Sequence, residues 1–191
     1  MKPDKIVALK DGRRLEIYQD ETYERDDTFE AQWPGKIYHW DPHYELGTRI
    51  GGPDDLEGDQ HDVALPVYTY GDITGQVFDT RPLDRPFDSG QIGWIVATPA
   101  AVAACWPGGA SRDEIRTRLR AQVHDFSLRW NNEVYGYRIM RYQLEAECEH
   151  CGRGAEWGEE DACWGFVGEI DQVLPWMLDQ AGLKPDQVKE D

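Results

Sequence analysis

The 191-residue chain has four cysteines and five histidines, the residue types that most often hold zinc in proteins. Cys148 and Cys151 are separated by two residues, His150 lies between them, and Cys163 follows later in the sequence. Zinc in proteins is held by about four thiolate or imidazole ligands in a tetrahedral array. The spacing is half of a zinc-knuckle pattern, and it raises the hypothesis of a zinc site on Cys148, His150, Cys151 and Cys163. A loose thiol pair on a hairpin is the favoured interpretation, and a redox dithiol is the third.

Two further patterns could support chemistry. His39, Asp41 and His43 stand at alternate positions, and alternate side chains of an extended strand share one face, as a metal or acid–base cluster requires. The alternative is a strand end that carries surface histidines. Ser89, between Asp88 and Gly90, could be a nucleophile at a turn, but no histidine has a helpful spacing, so a structural turn is favoured. We predict no catalytic residue, no cofactor other than zinc and, on balance, no enzymatic activity.

Acidic residues dominate the predicted surface. Asp and Glu number 37 against 20 Lys and Arg, which gives a formal net charge of −17. Such a field repels nucleic acid and attracts basic surfaces, although solubility alone is a simpler explanation. We predict acidic loops at residues 20–35, 47–62 and 148–161. The carboxylates expected to contact a partner are Asp54, Asp55, Glu57, Asp59, Glu156, Glu159, Glu160 and Asp161.

One helix is indicated with particular clarity. Ser111 and Glu114 match a capping box, and the apolar residues Ile115, Leu119 and Val123 recur at helical spacing after it. The pattern predicts a helix over residues 112–130. Its basic residues Arg112, Arg116 and Arg120 recur every four positions, and would bind phosphate or pair with acidic flanks of the same chain.

The order of the remaining elements indicates the fold class. Asp11-Gly12 between two β-rich segments is typical of a hairpin. Residues 92–97 form an apolar strand, and residues 162–167 and 169–181 read as a last strand and a C-terminal helix. We therefore predict one α+β domain over residues 1–191, with an antiparallel sheet, the 112–130 helix across one face and a flexible C-terminal end.

The sequence also suggests where the protein works. Its N-terminus has no apolar signal region, and no apolar segment approaches the ~20 residues of a membrane span. We expect a cytoplasmic protein with reduced thiols and no membrane association.

Three motifs resemble those of an uncharacterised family of proteins from bacteriophages and mobile elements. They are Phe87–Gly93, an aromatic residue before Asp-Ser-Gly-Gln-Ile-Gly; Val134–Tyr137, Val-Tyr-Gly-Tyr; and Asp161–Phe166, with Cys-Trp-Gly-Phe. Phe87 stands where the family is expected to have Trp, and Ala162 where it is expected to have Ser. The resemblance implies a phage origin and an α+β domain, and it supplies no catalytic residue.

These observations lead to the functional hypothesis of an acidic accessory protein that binds a host protein with a basic surface. A phage protein of this kind would inhibit a nucleic-acid-binding defence protein, of the restriction or CRISPR type, by presenting carboxylates in place of phosphates. It would not bind nucleic acid itself. The alternative is a zinc-binding module or metal-dependent enzyme. A homodimer is a further possibility, because eight Trp are many for a small core to bury.

Overall fold

The computed structural model describes residues 2–21, 33–44, 46–56, 63–72, 75–82, 89–143 and 156–189. Within them the chain forms nine strands and three α-helices, and the predicted α+β class is confirmed. The strands belong to two sheets, where the sequence analysis expected one. Contacts along the chain group it into two compact units, which we call unit 1 (residues 1–23 and 132–191) and unit 2 (residues 24–131).

Unit 1 is a four-stranded antiparallel sheet with one helix. The sheet order is β1-β2-β8-β9, and the helix α3 follows the last strand. Gly12 ends the hairpin turn between the first two strands with a φ of 89°, which confirms the Asp-Gly turn. The elements are β1 (Lys5–Ala8), β2 (Arg14–Gln19), β8 (Val134–Gln143), β9 (Glu156–Val167) and α3 (Ile170–Gln180).

The core of unit 1 lies between one face of this sheet and α3. Leu15 and Ile17 of β2 are fully buried there against Val173 and Met177 of α3. Tyr137 of β8 is also buried in this core. Burying such side chains contributes about 1.5–3 kcal/mol each, which fixes the helix on this face of the sheet.

The two edges of the unit 1 sheet differ. The outer edge of β1 is covered by the C-terminal segment, since the Lys10 amide donates to the Gln187 carbonyl at 2.8 Å and the Lys189 amide donates to the Ala8 carbonyl at 2.9 Å. In the described part of the chain, β9 pairs with β8 alone. Its pairing contains two register shifts, at Tyr135/Tyr137 and Ile139/Met140. Bulges of this kind twist an edge strand and discourage unwanted pairing.

Unit 2 is a five-stranded sheet in the order β4-β3-β7-β5-β6. All neighbours are antiparallel except β3 and β4. The predicted apolar strand is β7 and lies at the centre, as its composition indicates. The elements are β3 (Gly35–His39), β4 (Thr48–Arg49), β5 (Val63–Asp72), β6 (Gly75–Asp79), β7 (Ser89–Ala97), α1 (Pro99–Cys105) and α2 (Arg112–Trp130).

Helix α2 begins and ends where the sequence predicts. Ser111 and Glu114 form both hydrogen bonds of the capping box. Ile115, Leu119 and Val123 are buried in the same core as Ile95 of β7. The apolar stripe therefore packs on the sheet as expected.

Polar side chains of α2 bind the backbone of two strands. The Gln122 amide accepts from the Gly35 N–H at 3.0 Å and donates to the Gly35 carbonyl at 2.8 Å. Just after the C-terminal end of the helix, Asn131 makes the same pair of bonds to the backbone of Gln76. Ser127 accepts from the Phe78 amide. These side chains occupy hydrogen-bonding groups that a neighbouring strand would otherwise use.

Three local predictions need correction. The segment 148–161 is not entirely a loop, because β9 begins at Glu156 and not at residue 162. The predicted loop 47–62 contains β4 and a 3₁₀ turn at Pro53–Asp55. The segment 20–35 reaches into β3, which begins at Gly35. A strand at a sheet edge is solvated on several sides, so its composition resembles that of a loop.

Candidate functional site

The most distinctive surface of unit 1 is the sheet face turned away from α3. Side chains alternate along a strand, so Leu15 and Ile17 point into the core while their neighbours point the opposite way. We call this surface the outer face. Cross-strand register places on it Ile6, Arg14, Glu16, Tyr18, Arg138, Tyr142, Trp157, Glu159 and Trp164.

Arginine and aromatic side chains stack on each other across the outer face. The Arg14 guanidinium lies 4.0 Å from the centre of the Trp157 ring. Arg138 lies 5.3 Å from the Tyr18 ring and 5.7 Å from the Trp164 ring. Each distance is within the roughly 6 Å over which a cation and an aromatic ring attract. These stacking contacts restrict the conformations of the long arginine side chains on the outer face.

Trp164 lies directly against the backbone of the neighbouring strand. Tyr135 pairs with Phe166 and Tyr137 pairs with Cys163, so Gly136 stands opposite two residues of β9 instead of one. A Cβ at Gly136 would overlap the indole ring of Trp164. The bulge and the glycine together leave room for the ring against the backbone of β8.

A buried carboxylate connects the polar groups of the outer face. Glu16 is buried, forms an ion pair with Arg14 and accepts a hydrogen bond from the Tyr18 hydroxyl. Burial and this hydrogen bond raise the pKa of Tyr18, so its hydroxyl stays a donor at neutral pH. A buried charge is tolerated only when it is paired and hydrogen-bonded, as this one is.

Large apolar side chains remain exposed beside this network. The exposed fractions are 52% for Tyr142, 40% for Trp164 and 53% for Ile6. Trp176, on α3, is 60% exposed. Aromatic residues are enriched at the centres of protein interfaces, and adjacent exposed apolar side chains commonly mark one.

The predicted partner-binding carboxylates fall into two described groups. Asp54 and Asp55 are exposed on the 3₁₀ turn of unit 2. Glu57 and Asp59 lie outside the described residues. The remaining predicted residues, Glu156, Glu159, Glu160 and Asp161, are exposed on β9 in unit 1.

Three of the four β9 carboxylates have partners within unit 1. Glu159 lies 3.3 Å from Arg138. Glu160 lies 2.6 Å from Arg141, and Asp161 accepts from the Tyr137 hydroxyl at 3.4 Å. Exposed ion pairs contribute only about 0–1 kcal/mol, so these carboxylates can still exchange partners. By register, Glu159 lies on the outer face, whereas Asp161 and Glu156 pair with Ile139 and Gln143 and lie on the opposite side of the sheet.

Most of the predicted zinc ligands lie outside the described residues, namely Cys148, His150 and Cys151. Cys163 is described and has a free thiol on β9, half-buried against the core of unit 1. Among described residues there is no group of three side chains that could hold a metal ion. The zinc site stays a prediction.

The histidine pattern does not form an alternating strand face, because β3 ends at His39. His39 is buried, and its Nδ1 lies 3.1 Å from the backbone carbonyl of Asp41. His43 is exposed, with Nδ1 2.9 Å from the Asp41 carboxylate. Hydrogen bonding from the His43 amide lowers the pKa of Asp41. Ser89 is the first residue of β7.

Sequence reasoning missed the outer face, although a signal was present. In Arg14–Tyr18 an apolar residue alternates with Arg, Glu and Tyr. Period-two alternation predicts that one set of side chains is buried and the other exposed. What no local pattern indicates is that Trp164 crosses from the next strand to lie over Gly136.

Comparison with known proteins adds no assignment: no protein-family model, curated protein or solved structure matches the chain. In the described part of the chain, no helix is both long enough and apolar enough to cross a membrane.

Proposed function

We propose that this protein acts by binding another protein, one with a basic surface, through the outer face of unit 1. The observation that carries the proposal is the exposure of Tyr142 and Trp164 on the sheet face that α3 does not cover, together with the exposed carboxylate of Glu159 on the same face. Interfaces combine an aromatic centre with a polar margin in this way.

The aromatic and acidic residues have different tasks in this proposal. A few buried aromatic side chains supply most of the affinity in typical interfaces. Trp164 is suited to this task because its ring packs against Gly136, so the side chain loses little freedom on binding. Glu159, on the same face, attracts a basic partner and orients it, which mainly affects the association rate.

The resemblance to phage proteins supports a more specific partner. A host defence protein that binds nucleic acid, such as a restriction or CRISPR nuclease, has a basic surface for the phosphates of its ligand. The same basic surface would attract the carboxylates of this protein. The net charge of −17 favours such a partner and disfavours direct binding of nucleic acid. The protein would then work in the cytoplasm of a bacterial host, and Asp54 and Asp55 of unit 2 would add a second acidic contact.

Affinity capture with matched variants tests this proposal. Trp164→Ala removes an aromatic side chain from the outer face, and Trp176→Ala removes a more exposed one from α3. We expect one basic host protein to be retained in stoichiometric amount by the wild type and by Trp176→Ala, and to be lost with Trp164→Ala. Retention should weaken as salt is raised from low to moderate concentration, because screening reduces the charge attraction.

Other outcomes would contradict the proposal. Equal capture of the partner by both variants would show that the binding site lies elsewhere on the protein. The absence of a stoichiometric partner at either salt concentration would contradict the proposed binding function. A homodimer seen by sedimentation and broken by Trp164→Ala would show that a second copy of the chain occupies the outer face.

A further inference from the structure

The exposed side of α2 in unit 2 carries basic residues at four-residue intervals: Arg112, Arg116 and Arg120, followed by His124. Side chains four positions apart are neighbours on a helix, and like charges at that spacing destabilise it. Arg116 is compensated by Asp113, 3.0 Å away. Arg120 forms no ion pair with any described residue.

A cleft opens beside Arg120. Its volume is about 260 Å³, and it is lined by Phe78, Asp79, Arg81, Arg120, Ala121 and His124. We call it the basic cleft. The end of β6 and the residues after it supply one wall, and two turns of α2 supply the other.

The charge of the basic cleft is opposite to the net charge of unit 2. Two guanidinium groups and an imidazole face one carboxylate, and that carboxylate, Asp79, already lies 3.5 Å from Arg81. Carboxylates outnumber basic residues in unit 2 as a whole. Arginine binds phosphate oxygens through paired N–H donors, with a geometry that ammonium groups lack.

We propose that the basic cleft binds a single phosphate group carried by a small molecule. Its volume is below the roughly 300–1,000 Å³ of sites for drug-sized ligands, which suits a small anion. A nucleic acid is disfavoured as the ligand because the field of a chain with a net charge of −17 repels a polyanion over long distances, whereas a small dianion experiences mainly the local cations. The proposal is independent of the outer face, since all of its residues lie in unit 2.

Calorimetric titration with inorganic phosphate at constant ionic strength tests the site. Arg120→Ala is compared with Arg118→Ala, which removes the same charge from α2 but whose guanidinium lies over Trp33, 4.0 Å from its ring centre. We expect saturable binding of one phosphate per chain, weakened about tenfold or more by Arg120→Ala, as for a lost charge-assisted contact, and little changed by Arg118→Ala. Asp79→Asn should tighten binding, because it removes the one carboxylate in the cleft.

Each other result overturns the proposal. A titration heat that does not saturate would show diffuse charge attraction in place of a binding site. Equal weakening of phosphate binding by both arginine substitutions would show the same. A single-stranded oligonucleotide that binds more tightly than phosphate, in an Arg120-dependent way, would make nucleic acid the ligand. Thermal unfolding of the variants should match the wild type, since Arg118 and Arg120 are exposed.

Discussion

Gly136 shows how a single residue shapes the outer face. Its missing Cβ leaves the space in which the Trp164 ring lies, and the bulge in β9 lies opposite the same glycine. The contact joins the glycine of one sequence motif, Val134–Tyr137, to the tryptophan of another, Asp161–Phe166. The Val-Tyr-Gly-aromatic and Cys-Trp-Gly-Phe motifs thus meet in the structure, although they were recognised separately.

Replacing Gly136 with Ala should displace the Trp164 ring. Forcing an extra methyl group into a packed site costs about 1–3 kcal/mol, so we expect that loss in the free energy of unfolding and a change in tryptophan fluorescence. Gly90→Ala is the control, because a Cβ there meets no atom within 4 Å. An unchanged unfolding free energy for Gly136→Ala would contradict the packing of Trp164 on the sheet.

Tyr137 makes the stability of unit 1 depend on pH. Burial raises its pKa to about 12, from an ordinary value of about 10. Because the folded state favours the neutral phenol, its contribution is complete below pH 10 and is lost as the pH rises from 10 to 12. We expect denaturation midpoints measured across that interval to fall more steeply for the wild type than for Tyr137→Phe, whose side chain does not ionise. Parallel slopes would contradict a buried phenol at this position.

At the scale of elements, unit 2 is held together by the amide side chains of α2 as well as by its apolar stripe. Gln122 is buried and satisfies both backbone groups of Gly35, while Asn131 does the same for Gln76. A buried backbone group without a partner costs about 1–3 kcal/mol. The helix is therefore fixed to β3 at its middle and to β6 at its C-terminal end.

Gln122→Ala should destabilise the protein through this contact. The substitution leaves the N–H and the carbonyl of Gly35 without their partner. We therefore expect the free energy of unfolding to fall by about 1–3 kcal/mol. Gln172→Ala, at an exposed position of α3, should change it by less than about 0.5 kcal/mol. A loss for Gln122→Ala no larger than that of Gln172→Ala would mean that the amide contact is not formed.

The elements also show what a sequence can and cannot predict. Helix α2 and its capping box were predicted because the signals lie within a few residues of each other. The bonds between Gln122 and Gly35 were not, because the partners are 87 residues apart and an interior glutamine looks like a solvated one. Strand β9 was predicted too short, since Glu156, Glu159 and Glu160 are unusual in a strand, and its edge position explains them.

The candidate site was only partly predictable for the same reason. The β9 carboxylates were identified from charge, but the aromatic residues beside them were not identified as a surface. Arg14, Tyr18, Arg138 and Trp164 come from three strands that are distant in sequence, and only pairing of β2, β8 and β9 brings them together. Spacing along the chain carries no information about such a set.

At the scale of the whole molecule, charge and exposed aromatic residues support one account of function. The net charge of −17 favours encounter with basic partners, and the outer face supplies the aromatic residues that would hold one. The basic cleft of unit 2 is an exception within this acidic surface, and its proposed ligand is a small anion and not the partner protein.

Site-specific photo-crosslinking in host cells is the measurement that tests the central proposal most directly. A photoreactive phenylalanine derivative replaces Tyr142 on the outer face or, as a control, Trp176 on α3; both positions are exposed and accept an aromatic side chain. The proposal predicts one defined adduct with a basic host protein from position 142, lost when Trp164→Ala is added, and none from position 176. An adduct from position 176 alone, or none from position 142, would contradict the assignment of the outer face as the binding surface.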